Sequence, residues 1–526
     1  MDFGAKKLHF SQFKKYIMTI VHLKSRQILH QVYRLFVPIS RPKSLKSGGS
    51  KSGQDILFLP LSSVYMRNQL VFVLGRPVYD LEVSNVIVGP KDDYLYLFSF
   101  FYFDFVHHLN GQQLNKLFLT DVKLLESREN FYHPYVVSKR IINLILLFIC
   151  KDRRVNDGDS SVLHQIHKDA SYLYANIEYH VDGNHLLTNF AALAIYERRF
   201  LDETESRFFD QYLIEFTTQF ESGMHYERSI SYTSQLLHES FLVFQEFKCE
   251  IPNNIFSMID KSLGSLKLFS DLGNRIDFVD NIFEQSFEID DLIDFYTRAF
   301  ERKFEIESGV SPTEISHYVT IFNKNFALCV DCGYPTPAFQ PGHSHDSSGA
   351  IELSFKSHPI FISGNVSTYE NCDRRLAERS RFNYSKVVSE GIFQDVWSSF
   401  RVAERVRPVH TASELQASCL VTKGIRGSKR IVSLDENRVS IVDSTAGSES
   451  FVSQFIVSNS CIVSVISHDN VIIDGGDFKL ELRVSGAMTI EDKSIATRYG
   501  VIEATKLIKC TANQTENILN IREIHS

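Results

Sequence analysis

Apolar residues recur at two different periods along this chain, and the change of period divides it. Between about residues 92 and 310 they return every three to four positions. Phe209, Leu213, Phe216 and Phe220 form one such row, and Leu237, Phe241, Phe244 and Phe247 another. That spacing lays an apolar stripe along an α-helix. Asp182-Gly183-Asn184, ahead of the apolar run that starts at His185, reads as the capping signal of a further helix. Helices in series without intervening strands predict a helical bundle or toroid. Past about residue 311 the period falls to two, as in Ile431 to Leu434, Val439 to Val442 and Leu480 to Val484, with turn residues such as Asp474 to Asp477 between runs. Short strands at this spacing predict an antiparallel β-sandwich.

The first ninety residues follow neither period throughout. Residues 1–36 hold seven Lys/Arg against one acid, Asp2, while Phe10, Phe13, Ile17, Ile20 and Val21 keep helical spacing. This predicts a basic amphipathic helix, which docks on its own domain or lies on an anionic membrane surface. Residues 42–53, rich in Ser, Gly and Lys, read as a linker. From 54 to 90 the runs Ile56 to Leu59, Leu70 to Leu74 and Val83 to Val88 are short and strand-like. The expected organisation is α+β and multidomain: a basic helix and linker (1–53), an (α/α) toroid (54–310) and a β-sandwich (311–526).

Composition narrows the classes. A length of 526 residues, 44% apolar and 23% charged, is that of a folded protein with more than one core. The net charge of −7, with both signs interspersed, argues against a nucleic-acid binder. Eight scattered cysteines do not form a disulfide scaffold. Cys329 and Cys332 fall in a strand pattern, face opposite sides and read as buried thiols. No apolar run is long enough to span a bilayer, and charges interrupt the N-terminal apolar residues. The expected location is therefore cytoplasmic, with docking of the basic helix on its own domain preferred and peripheral membrane contact as the alternative.

Candidate chemistry gathers at Pro341-Gly342-His343-Ser344-His345-Asp346, between a turn signal and a strand pattern starting at Ile351. Extended backbone points residues i and i+2 to one side, so His343 and His345 are expected to project together.

Several separated segments carry a resemblance. Val21 to Leu29, Phe101 to Asp104, Tyr132 to Asn143, Asn184 to Asn189, His225 to Tyr232, Cys332 to His345 and Val396 to Pro408 resemble, in order, segments of the heparinase II/III-like polysaccharide lyases. The likeness is greatest to a branch associated with bacterial surface-polysaccharide biosynthesis. It implies a toroid packed on a β-sandwich and a lyase acting on an acidic, uronate-containing polysaccharide. Such a reaction removes the C5 proton of a uronate and expels the substituent at C4. It needs a base, an acid, and a neutral donor or cation at the carboxylate to stabilise the enolate-like intermediate.

On that resemblance Asn184 matches the carboxylate-neutralising amide, and Tyr232 the phenol acting on the C5 proton, the leaving oxygen or both. His185 and His343 match assisting bases or donors. Tyr135 and Arg140, in the segment resembling a first toroid helix, and His345 join the expected substrate contacts. Arg228 is added from local chemistry, since one turn before Tyr232 it could grip a second carboxylate.

The chain also departs from the family pattern. Metal-binding members supply an Asp and a second His where this chain carries Ser363 and Tyr384, and the acid after the paired histidines is displaced. With His345 alone a four-coordinate zinc site cannot be assembled, so no structural zinc and no cofactor are expected. The competing function is a non-catalytic glycan-binding protein in capsule or O-antigen assembly, or a hydrolase or transferase on the same scaffold.

Overall fold

The computed structural model describes residues 10–37, 56–59, 64–89, 94–149, 159–201, 206–273, 276–304, 313–333, 335–389, 395–403, 405, 410–416, 418–424, 428–445, 451–511 and 516–524. Two helices open this part, α1 (Phe10–Ile20) and α2 (Ser25–Phe36). The period-3.6 region folds into α3 (Pro134–Ile149), α4 (Asp159–Ala175), α5 (Gly183–Phe200), α6 (Arg207–Phe220), α7 (Ile230–Glu246), α8 (Asn253–Asp271) and α9 (Ile289–Phe300), preceded by shorter helical turns from Tyr94. Local chemistry sets where they start. Pro134 begins α3, where its missing N–H costs nothing. The side chains of Asp182 and Ser229 accept backbone N–H groups at the starts of α5 and α7. The aromatic rows predicted for α6 and α7 meet in one core, where Phe216 and Phe244 pack edge to face at 5.3 Å.

Between residues 64 and 86 four short strands form an antiparallel sheet in chain order. Ile56 to Leu59, expected as a strand, has no regular structure, and Val83 to Val88 contributes only Asn85–Val86. Beyond residue 313 two antiparallel sheets stack, with nine and eight strands among the described residues. The first begins with Thr313–Ile315, Tyr318–Phe322, Phe326–Asp331, Ile351–Phe355 and His358–Ile362 in sequence, then pairs His358–Ile362 with Phe451–Val457. Their inner faces share a core that includes Leu328, Leu353, Phe455, Leu480 and Ile521. Cys329 and Cys332 are both buried, and burial pushes the Cys329 thiol well up.

The helical and sheet halves are joined by polar as well as apolar contacts. Glu352, on a strand, accepts the backbone N–H groups of Ile276 and Asp277 at 2.8 Å each. Around them Met224, Phe269, Phe278, Tyr318 and Tyr384 form a small core on the seam.

The N-terminal helices dock through charge and aromatic contacts. Lys15 pairs with Asp395 at 2.9 Å, Arg26 with Asp182 and Glu215 at 3.0 Å, and Tyr16 meets the Trp397 ring at 4.7 Å. Their apolar residues are turned outward instead, with Leu29 70%, Leu35 78% and Phe36 80% exposed. No helix among the described residues is long and apolar enough to cross a membrane.

Candidate active site

Two tight turns in the helical half aim the first candidates. Asp182 and Gly183 both take positive φ, +68° and +62°, which swings the chain into α5 and places Asn184 and His185 on its first turn. A Cβ at Gly183 would sit 2.8 Å from Gln340 Oε1 and 3.0 Å from Glu227 Oε1, so the position also needs glycine for space. Arg228, at φ +66°, makes the matching turn into α7, and Tyr232 follows on that helix's first turn.

The sheet half contributes the loop before Ile351–Phe355. Residues 341–350 form turns rather than the extended edge expected, because Pro341 and Gly342 bend the chain and Ser344 N–H closes back on Pro341 O at 3.3 Å. The two imidazoles nevertheless converge. His343 Nδ1 lies 2.8 Å from Asp280 Oδ2 and His345 Nε2 lies 2.6 Å from Asp280 Oδ1. Arg375 pairs with both oxygens of the same carboxylate.

Asn184, His185, Tyr232 and His343 all line one cavity of about 470 Å³ between the halves, together with Tyr135, Gln340, Tyr369 and Phe400. Tyr232 Oη lies 2.7 Å from Tyr369 Oη and 3.2 Å from His343 Nδ1. Its ring stands edge-on to the His343 imidazole at 4.9 Å. His185 stacks on Tyr135 at 4.4 Å, and its Nδ1 is 3.0 Å from Glu178 Oε1. Asn184 Oδ1 is buried without a hydrogen-bond partner, as are both oxygens of Glu227, one of which lies 3.8 Å from His343 Nε2.

Burial sets the protonation states. It opposes ionisation of Asp280, but Arg375 and the two histidines overcome it and hold this carboxylate well below the usual range. Burial also pushes the Tyr232 phenol well up, reinforced by Tyr369 and Asp280, so it keeps its proton. Glu227 is raised by burial, partly offset by His343 and His185. His345, buried beside Asp280, is lowered to about 4 and stays neutral.

Three expected substrate contacts lie elsewhere. Arg228 is not on the α7 face, because its left-handed backbone precedes the helix. Its guanidinium is buried in an ion pair with Asp331 and lies 4.1 Å over the Tyr318 ring. Arg140 is wholly buried, bonded to both oxygens of Asp169 at 2.8 and 2.9 Å. The His345 side chain is fully buried behind His343, between Asp280 and the Tyr384 hydroxyl, so both ring nitrogens already have protein partners.

Sequence reasoning passed over Tyr369, Asp280 and Arg375, which lie where neither periodicity nor a turn signal marks them. Gln340 and Glu227 lie inside two of the segments that carry the resemblance, Cys332 to His345 and His225 to Tyr232.

Against known proteins, residues 309–519 match the family described as Heparinase II/III-like, C-terminal. Among solved structures, heparinase III superposes with a TM-score of 0.65 at 13% identity, covering 85% of this chain and 81% of that one. A heparinase III gene product gives 0.58 at 15% identity, covering 82% and 75%. Heparan sulfate lyase HepC from Pedobacter heparinus gives 0.56 at 12% identity, covering 89% and 82%. At these identities the likeness concerns the fold. No curated protein sequence matches the chain.

Proposed function

The chain belongs to the heparinase II/III-like family through its C-terminal domain, and on that premise we propose that it is a polysaccharide lyase cleaving a uronate-containing glycan by β-elimination. One observation carries this reading: an amide, a phenol and two imidazoles from both halves line a single cavity large enough for a sugar ring. Asp280 on Nδ1 of His343 orients the ring and stabilises the imidazolium that forms when Nε2 takes the C5 proton. Tyr232, kept as a phenol by burial, delivers its proton to the departing O4. The Asn184 amide and the His185 imidazole meet the substrate carboxylate, where negative charge grows as the C5 proton leaves.

Among the described residues no Lys or Arg lines the cavity, whereas seven Tyr or Phe rings do. That lining suits the faces of sugar rings and supports a uronate glycan with little or no sulfate. The segment resemblance supports a bacterial surface polysaccharide, of a capsule or O-antigen, as its source. The exposed apolar edge of α1 and α2, beside a strongly basic N-terminal sequence, supports peripheral contact with an anionic lipid surface.

The test is incubation with desulfated and sulfated uronate polymers while following the ultraviolet absorbance of the unsaturated product. Tyr232→Phe is expected to lower kcat by roughly 10²–10⁴-fold, the usual worth of a positioned proton-transfer group. Glycan binding with no product from any polymer would instead make the protein a binder, and saturated products would make it a hydrolase.

A further inference from the structure

A second cluster on the cavity wall lies apart from the proton-transfer groups. His133, Glu178 and His185 each place a potential ligand atom within 4.8 Å of the other two. Glu178 Oε1 is 3.0 Å from His185 Nδ1 and 3.7 Å from His133 Nε2. Ligand atoms around a tetrahedral zinc ion at ~2.0–2.2 Å are separated by ~3.3–3.5 Å; the two Glu178 distances are within a few tenths of an ångström of that spacing, and the two imidazoles would close on one centre by rotation of their side chains.

The surroundings hold each group in place. Asn189 Nδ2 donates to the other Glu178 oxygen at 3.2 Å, while Asn189 Oδ1 accepts the Glu178 backbone N–H at 2.9 Å. The His185 ring is stacked on Tyr135, and the His133 ring stands edge-on to Phe98 at 4.9 Å. Both histidines face the cavity while Glu178 lies buried behind them. Two further observations point to a ligand here. Asn184 Oδ1, on the same wall, is a buried acceptor with no partner, and among the described residues the cavity has no Lys or Arg to meet an acidic sugar.

We infer that His133, Glu178 and His185 form a site for a divalent transition-metal ion of the zinc class, with its remaining coordination position open to the cavity. Two imidazoles and one carboxylate are borderline donors, which favour Zn²⁺ over Mg²⁺ or Ca²⁺. Three protein ligands and one open position are the arrangement of zinc sites that engage a substrate. The occupant of the open position, the uronate carboxylate, rests on the lyase reading, whereas binding of the ion does not. Coordination through Nδ1 leaves His185 Nε2–H free to donate into the cavity. This site is distinct from the paired histidines of the sheet half, where His345 has both nitrogens engaged.

The experiment uses the tag-free full chain, stripped with a chelator and titrated with Zn²⁺ by calorimetry and with Co²⁺ by visible absorption. One equivalent of Zn²⁺ and a tetrahedral Co²⁺ spectrum are expected, with His133→Ala and Glu178→Gln each weakening binding at least about tenfold. No binding by the wild-type chain overturns the proposal. So does binding that both substitutions leave unchanged, since the ion then sits elsewhere. Glu178 is buried and its variant can fail to fold. His133, at 32% side-chain exposure, is the variant that decides if that happens. No glycan enters the measurement, so an inactive protein that binds zinc retains this site, and an active lyase that binds none loses it alone.

Discussion

Asp280→Asn tests the carboxylate on which both halves of the site converge. Asp280 and Arg375 have no exposed side-chain surface, and the carboxylate also holds His343 and His345. An amide keeps the size but removes the charge, so the buried guanidinium loses the carboxylate it is paired with. Removing one partner of a buried pair costs about 3–5 kcal/mol, which is roughly a 10²–10⁴-fold loss in the folding constant. The control is Asp280→Asn combined with Arg375→Met, which removes both charges together. A buried pair replaced as a unit is often close to neutral, so the double variant is expected to recover most of the loss. The measurement is urea unfolding, comparing midpoints at constant slope. A single-variant cost below about 1 kcal/mol, or a double variant whose cost is the sum of the two singles, would refute the assigned coupling.

Acid should destabilise the fold through histidines buried as neutral rings. His225 and His238 are lowered by burial to about 3 and His345 to about 4, against an ordinary 6.5. The unfolded chain takes up these protons first, so stability is full above pH 6.5 and falls as pH drops toward the folded values. Each ring then costs about 2 kcal/mol by pH 5, whereas Asp104, raised to about 6 by burial, returns only about 1. Melting temperatures measured from pH 7 to 5 should fall, and less steeply in His238→Gln; a flat profile would contradict this. At the N-terminus, Leu29→Glu with Phe36→Glu should abolish co-sedimentation with vesicles containing anionic phospholipid, and salt should weaken the wild-type binding. Equal binding to wholly zwitterionic vesicles, or none, would remove the lipid surface as partner.

How far each feature could be read from the chain follows the range of the forces that set it. The helices around Phe216 and Phe244 and the strands around Leu480 were legible because burying one face imposes a period on nearby residues. Asn184 and Tyr232 came from the resemblance of their segments, and the structure sets each on the first turn of a helix with a local cap, at Asp182 and Ser229. Arg228 and Arg140 were misplaced for a reason that local spacing cannot reveal. Their partners, Asp331 and Asp169, lie 103 and 29 residues away, and only the fold brings each pair together. Tyr369, Asp280 and Arg375 were invisible on the same account, since long-range pairing leaves no periodic trace in the sequence.

The two histidines flanking Ser344 differ because of what lies beyond them, although one carboxylate holds both. His345 has Asp280 on one nitrogen and the Tyr384 hydroxyl on the other, so it has nothing left to offer a ligand or a substrate. His343 has Asp280 and the Tyr232 hydroxyl on Nδ1, while its Nε2 lies 3.8 Å from Glu227 and its ring lines the cavity. Two ring nitrogens beside a carboxylate would ordinarily attract a cation, and here the Arg375 guanidinium supplies that positive charge from within the chain. The Tyr384 hydroxyl occupies His345 Nδ1, so that nitrogen is not open to a ligand. Of the paired histidines, His343 is the one that lines the cavity, oriented by a carboxylate whose ion pair with Arg375 belongs to the seam between the two halves.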